Sequence, residues 1–401
     1  MKAGVNFHEI QARQHPDARQ GWGQAMESAE APVIQLRLRF IDMARACAIL
    51  LMLEGHFVDV CLADQWRTAG HPVYDIWLHL RGLAAPMFFT VTGLIFAYLL
   101  ASAGSGPLLR NRRVRRGLLR VLELFFWGYA LQINLGRLPE YLEGKVNPWV
   151  GAFHVLQCIG AGLGLMILLH GLLRNLDLKT RAAIHLGGGF LFFVASILIA
   201  VHPESIPAHA PAWLQNAIKG KHSPFPIAPW LGFTLYGAAI GMLIRHWQGR
   251  LGRLDPRLSP VPFLVLGMLL KSFGWSFDDA FSGWLLQLVV HSESHGVIPT
   301  AFHGRVGEIL LALGLLVWIE KRFPPKSQWL ERVGRNTFPI YVIHVIILYG
   351  GIFGIGINDL LRRSLNPWQA AAGAVLFCSI FALGAQWMLA LGWIKKQIEL
   401  R

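Results

Sequence analysis

Long apolar runs recur along the chain at about residues 41–62, 80–101, 118–135, 150–172, 183–201, 227–245, 261–275, 305–320, 338–356 and 368–394. At 1.5 Å rise per residue, each is long enough, or nearly so, to cross a hydrocarbon core of roughly 30 Å as a helix. The seventh is the weakest, being short and holding Lys271. The pattern predicts an all-α, polytopic membrane bundle of about ten transmembrane helices. The expected organisation is an N-terminal tail over residues 1–40, a transmembrane domain over 41–394 and a C-terminal tail over 395–401. Of the 401 residues, 54% are hydrophobic and only 15% charged, which excludes an ordinary soluble enzyme.

The formal net charge of +14 would suit a nucleic-acid binder if it were gathered on one surface. It alternates between loops instead. Segments 1–40, 102–117, 173–182, 245–260, 320–337 and 395–401 hold 25 Lys and Arg, and the loops between them hold 7. This is the positive-inside pattern, so both termini are expected in the cytoplasm and no nucleic-acid partner is expected. The opening MKAGVNFHEIQARQHPDARQ lacks an apolar core followed by a cleavage site, so the first span is expected to act as the insertion signal. Cys47, Cys61, Cys158 and Cys378 lie in or beside spans without close spacing, which argues against a disulfide framework or a zinc knuckle.

The first span, RFIDMARACAILLMLEGHFVDVC, carries the densest candidate chemistry. Arg45 and His56 are eleven residues apart, about three helical turns, so both lie on one face, roughly 16 Å apart along the axis. Asp42, Met52 and Asp59 fall near the same stripe. Charge inside a span costs about 2.5–3.5 kcal/mol per residue on insertion scales, and such residues ordinarily face a protein interior or a watery cavity. With both termini inside, His56 is expected near mid-membrane and Arg45 near the cytoplasmic headgroups. A histidine suits general-base work near neutrality, with Asp59 at i+3 to orient it, and Arg45 suits a phosphate or carboxylate, with Asp42 at i−3 to hold it. The plainer alternative is that Asp42 and Arg45 pair for insertion and His56 bonds a neighbouring helix.

Other polar groups in the spans are Arg81, Glu123, His154, Gln157, Lys271, Arg305, Glu308, Tyr341 and His344. Arg305 and Glu308, three residues apart, read as a mutually neutralising pair, and Arg81 as an interfacial side chain reaching for water. The loop GSGPLLRNRRVRRGLLR holds five arginines within seven residues. Lipid-phosphate binding accounts for most of them, while Arg115 and Arg116 are candidates for gripping the phosphates of an acyl carrier. The glycines at 160, 162, 164 and 187–189 lie inside spans with no preceding strand, so they read as helix-packing positions and not as dinucleotide loops. The HSESH run spaces His291 and His295 for a zinc ion, but a solvated loop is the better reading and no metal is expected.

The stretch RLRFIDMARACAILLMLEGHFVD resembles the opening of the transmembrane acyltransferases, whose first span carries an arginine, ten intervening residues and a histidine, often with an aspartate three residues before the arginine. Asp42, Arg45 and His56 match. LRGLAAPMFFTVTGLIFAYLL, RRGLLRVLELFFWG, FHVLQCIG, FPIAPWLGFTLYGAAIG and VGRNTFPIYVIH look like the branch that includes heparan-α-glucosaminide N-acetyltransferase, in the expected order. Ala46 stands where that family usually has glycine, and the large luminal domain of the animal enzyme has no counterpart here. The resemblance implies transfer of an acyl group, most simply acetyl from acetyl-CoA, to a hydroxyl or amine of a carbohydrate or glycolipid. It implies a catalytic role for His56, which is expected either to act as general base or to carry the acyl group transiently itself, and donor binding by Arg45.

Asn336, Tyr341 and His344 on the ninth span are then the further candidates for contacting donor or acceptor. The expected setting is a multi-pass protein of a bacterial-type inner membrane, with membrane lipids as neighbours and a homodimer left open. Two rivals remain at this stage. One is a transporter or flippase of a lipid-linked sugar, using the buried charges as a proton relay. The other is a cytochrome with paired span histidines on haem, disfavoured because no two histidines share a clear depth.

Overall fold

The computed structural model describes residues 39–398 apart from 102–106, 148, 203–205, 207–208, 221, 252–257, 291–300 and 324–327. In chain order the helices are α1 (Arg39–Cys61), α2 (Pro72–Arg81), α3 (Ala84–Leu100), α4 (Arg112–Ala130), α5 (Leu138–Leu142), α6 (Val155–Leu173), α7 (Leu178–Val201), α8 (Ala212–Lys219), α9 (Ile227–Leu251), α10 (Val261–Val290), α11 (Phe302–Arg322), α12 (Trp329–Arg335), α13 (Thr337–Tyr349), α14 (Ile357–Leu361) and α15 (Pro367–Ile398). Among the described residues there is no β-strand.

Each of the ten apolar runs is built on a helix, though some, such as 338–356, outrun it, and the protein is all-helical as expected. Among the described residues, seven segments are long and apolar enough to cross a membrane: Pro72–Leu100, Val155–Leu173, Leu178–Val201, Ile227–Gln248, Val261–Val289, Phe302–Arg322 and Pro367–Trp387. The other three runs differ for identifiable reasons. α1 carries Arg45, Glu54 and Asp59 within its apolar length, α4 opens on a cluster of arginines, and α13 has only 13 residues.

The seventh run is not the short one its hydropathy suggests. α10 continues to Val290 through Asp278 and Asp279. Asp278 is tolerated there because it accepts from the His303 backbone N–H (2.8 Å) and bonds His303 Nδ1 (2.5 Å) on α11. A buried carboxylate supplied with two donors no longer interrupts an apolar helix.

α1 is the hub of the bundle, packing on α3, α11, α12, α13 and α15. Ile49, Leu53, Phe57 and Cys61 on one of its faces meet Ile340 and Leu348 of α13 and Phe377 and Phe381 of α15. Glycines set the closest approaches. A Cβ on Gly93, Gly237 or Gly241 would lie within 1.9–2.2 Å of a carbonyl oxygen on the facing helix, so α3 and α9 touch backbone to backbone. Gly334 brings α12 equally close to α1, at the carbonyl of Asp42. Of the glycines singled out in the sequence, 160, 162 and 189 also serve packing, whereas 164 and 187 face open space.

Candidate active site

α13 starts in the basic loop beside α1, and its thirteen residues carry His344 up to the level of His56. His56 Nδ1 and His344 Nε2 are 3.2 Å apart, with ring centroids separated by 5.3 Å. The other nitrogen of His344, Nδ1, lies 3.3 Å from the carbonyl oxygen of Ile340 one turn earlier. A carbonyl only accepts, so the proton of a neutral His344 belongs on Nδ1 and its Nε2 holds a lone pair. The shared hydrogen bond then needs the proton of His56 on Nδ1. What remains is a lone pair on His56 Nε2. His344 is fully buried, while His56 is only partly so. Tyr341 packs edge-on against the His344 ring at 5.0 Å, and Tyr349 against His56 at 5.8 Å.

His344, and not Asp59, therefore orients His56. Asp59 sits at i+3 as the helix dictates, but its carboxylate is held by two arginines from outside α1: Arg67 Nη2 at 2.7 Å and Arg81 Nη2 at 3.0 Å. Guanidinium forks outcompete an imidazole for a carboxylate. Arg81 is correspondingly anchored while staying partly exposed, and its stem fills the space left by the absent side chain of Gly55. Beside it, Trp77 Nε1 donates to Glu54 Oε1 (2.7 Å), and the Arg81 guanidinium lies 5.6 Å from the Trp77 ring centre.

Toward the basic end, Arg45 Nη2 donates to Thr337 Oγ1 at 2.7 Å. Among the described residues no carboxylate comes within ion-pair distance of Arg45. Asp42, expected to hold it, instead faces Arg335 (3.8 Å). Arg335 also reaches Glu331 (3.4 Å), a carboxylate only 2% exposed that accepts from Arg39 Nε at 2.8 Å. The charges that bear on Arg45 are Asp42 and, with opposite sign, Arg120. Arg120 lies on α4, over the Phe338 ring at 3.9 Å, with Glu123 as its ion-pair partner. Arg116 is one turn earlier on the same face of α4, and Arg115 beside it; both are exposed. A guanidinium fixed by one hydroxyl, near a second guanidinium and without its own carboxylate, is suited to an incoming oxyanion.

The remaining sequence candidates divide. Asn336 spends its amide hydrogens on the backbone carbonyls of Arg332 (2.9 Å) and Ala385 (3.2 Å), tying the α12–α13 junction to α15. Arg305 does reach Glu308 (3.1 Å), but Lys271 and His79 (2.8 Å) join the same carboxylate. The HSESH run lies outside the described residues.

Arg120, Thr337, Arg67 and Tyr349 were not singled out in the sequence. Arg120 has a local signal in its spacing of four from Arg116, and Thr337 adjoins Asn336. The other two are recruited by tertiary contact alone.

A family profile described as "Heparan-alpha-glucosaminide N-acetyltransferase, catalytic" matches residues 37–268, which include Arg45, His56 and the α4 arginines. The chain belongs to this family. It is a membrane acetyltransferase by family and by its apolar helices. No curated protein matches the sequence.

Proposed function

We propose that the protein transfers an acetyl group from acetyl-CoA to a hydroxyl or amine of a carbohydrate or glycolipid, with His56 as general base. The single observation that carries this reading is the His56–His344 pair, whose bonding leaves the lone pair of His56 on Nε2, free of the other imidazole. The basic end of the bundle faces the cytoplasm in this reading, where Arg45, with Arg120, Arg115 and Arg116 around it, receives the phosphates of the donor. From there to His56 is roughly 16 Å along α1. A pantetheine arm is a flexible chain able to span such a gap, so the thioester meets its acceptor without the nucleotide leaving the basic end.

In the chemical step, His56 Nε2 takes the proton from the acceptor as its oxygen or nitrogen bonds the thioester carbonyl carbon. The C–S bond then breaks, and the imidazolium returns the proton to the departing thiolate. The His344 lone pair stabilises the imidazolium by accepting from its Nδ1–H throughout, the role a carboxylate plays in a hydrolase triad. Asp42 and Asp59 act through the arginines they bind, setting the two ends of the path. Tyr341 and Tyr349 wall the imidazoles.

The transport alternative predicts movement of a sugar lipid without release of CoA. Membranes holding the protein, given radiolabelled acetyl-CoA, are expected to place label on carbohydrate or glycolipid with one free CoA per acetyl transferred. Sugar-lipid translocation that proceeds undiminished without any CoA thioester would replace acetyl transfer with transport.

A further inference from the structure

Arg181, in the second turn of α7, is only 6% exposed. Its Nη2 lies 2.7 Å from His170 Nδ1, which must accept and is therefore a neutral imidazole nitrogen. Its Nε is buried without a partner. Among the described residues no carboxylate comes within ion-pair distance. The nearest in sequence, Asp177, sits one turn earlier but is committed to capping α7: it accepts from the Lys179 and Thr180 N–H groups (2.9 and 3.2 Å) and from the Thr180 hydroxyl (2.6 Å). That hydroxyl in particular holds Asp177 below the ordinary carboxylate range, so it stays ionised where it is. One turn beyond Arg181, His185 is 1% exposed. Its Nδ1 donates to the Arg181 carbonyl at 2.7 Å, and its Nε2 is buried and unpartnered.

A buried guanidinium facing a neutral imidazole is an unfinished electrostatic arrangement. Removing a cation from water without a counterion is strongly unfavourable, and a protein ordinarily supplies the counterion or binds one. We propose that Arg181, with His170 and His185, forms a phosphate-binding site between the basic ends of α6 and α7, separate in its residues from the Arg45 site. The ligand is a phosphate group, because a guanidinium beside one neutral imidazole, with a second imidazole one turn along the helix, matches a tetrahedral oxyanion that both accepts hydrogen bonds and, as the monohydrogen form, donates one to His185 Nε2. Two sources share that chemistry: the ribose phosphate of a nucleotide and the headgroup of an anionic phospholipid.

The test is thermal unfolding of the full chain in detergent with and without inorganic phosphate, a binding readout that needs no acetyl transfer and so stands or falls apart from the catalytic reading. Wild-type protein should gain several degrees in Tm at millimolar phosphate. R181Q should lose that gain, and R181K, which keeps charge but not the fork, should retain part of it. If R181Q fails to fold, R181K and H185F carry the comparison, both with a reduced gain. Adenosine 3′,5′-bisphosphate and nanodiscs of phosphatidylcholine with or without phosphatidylglycerol then separate the two sources, since only the true one shifts Tm in an Arg181-dependent manner. Absence of a phosphate shift in the wild type, or an undiminished shift in both R181K and the second variant, overturns the proposal.

Discussion

His344 accepts from His56 because the Ile340 carbonyl occupies its other nitrogen, and that local i−4 contact fixes the protonation of two rings at once. Glutamine in place of His344 presents an acceptor near the Nε2 position, whereas leucine presents none. H344Q is therefore expected to keep kcat within about tenfold of wild type and H344L to lose about 10²-fold or more, the scale of general-base assistance. Steady-state acetyl transfer by the two variants decides this, with equal losses counting against an orienting role. At the other end, R45Q removes the guanidinium fixed by Thr337 and should raise KM for acetyl-CoA about 10- to 100-fold, as loss of charged hydrogen bonds implies, with kcat changed far less. A fall in kcat at unchanged KM would remove Arg45 from donor binding. Arg45 and His56 were legible in the sequence because one helix's periodicity places both on one face. His344 was legible as a polar residue in a span but not as a partner, since 288 residues separate it from His56 and nothing local encodes the contact. Asp59 misled for a related reason: i+3 spacing shows what is near on α1, while Arg67 and Arg81 arrive from outside it.

At the level of helices, hydropathy located every long apolar run but misjudged those whose polar residues are satisfied elsewhere. Asp278 makes α10 look finished near residue 275, and only the pairing with His303 explains the continuation to Val290. Glycine patterns were similarly half-informative, because composition shows that a Cβ is absent and only the neighbour shows whether one would fit. Gly237→Ala drives a methyl into the Thr90 carbonyl and should destabilise the α3–α9 contact by about 1–3 kcal/mol, the usual scale of overpacking. Gly187→Ala meets nothing within 4 Å and should be neutral or slightly stabilising through helix propensity. Thermal unfolding of the two variants in the same detergent is the check, and a drop as large for Gly187→Ala would show that glycine serves these helices by flexibility and not by close approach.

Across the whole molecule, the alternating basic loops predict the orientation of the bundle, and the two ends of α1 inherit that expectation. In the proposed orientation, Arg45 faces the compartment that holds CoA thioesters, and the Asp59–Arg67–Arg81 cluster faces the other. Sealed inverted vesicles are expected to use added acetyl-CoA, and right-side-out vesicles to use it only after permeabilisation. Equal use by both would remove the sidedness on which the separation of donor and acceptor depends. In the proposed reading, His56 and Arg45 on the central helix α1, backed by His344 and Thr337 of α13, form a route for an acetyl group with the nucleotide held at one face.

The most direct test of that route is turnover of radiolabelled acetyl-CoA by His56→Ala, purified alongside wild type and matched to it in elution and thermal unfolding. Loss of acetyl transfer by about 10²- to 10⁴-fold in a protein that still binds donor is the expected result. Undiminished turnover by that variant would contradict the assignment of His56 as the base.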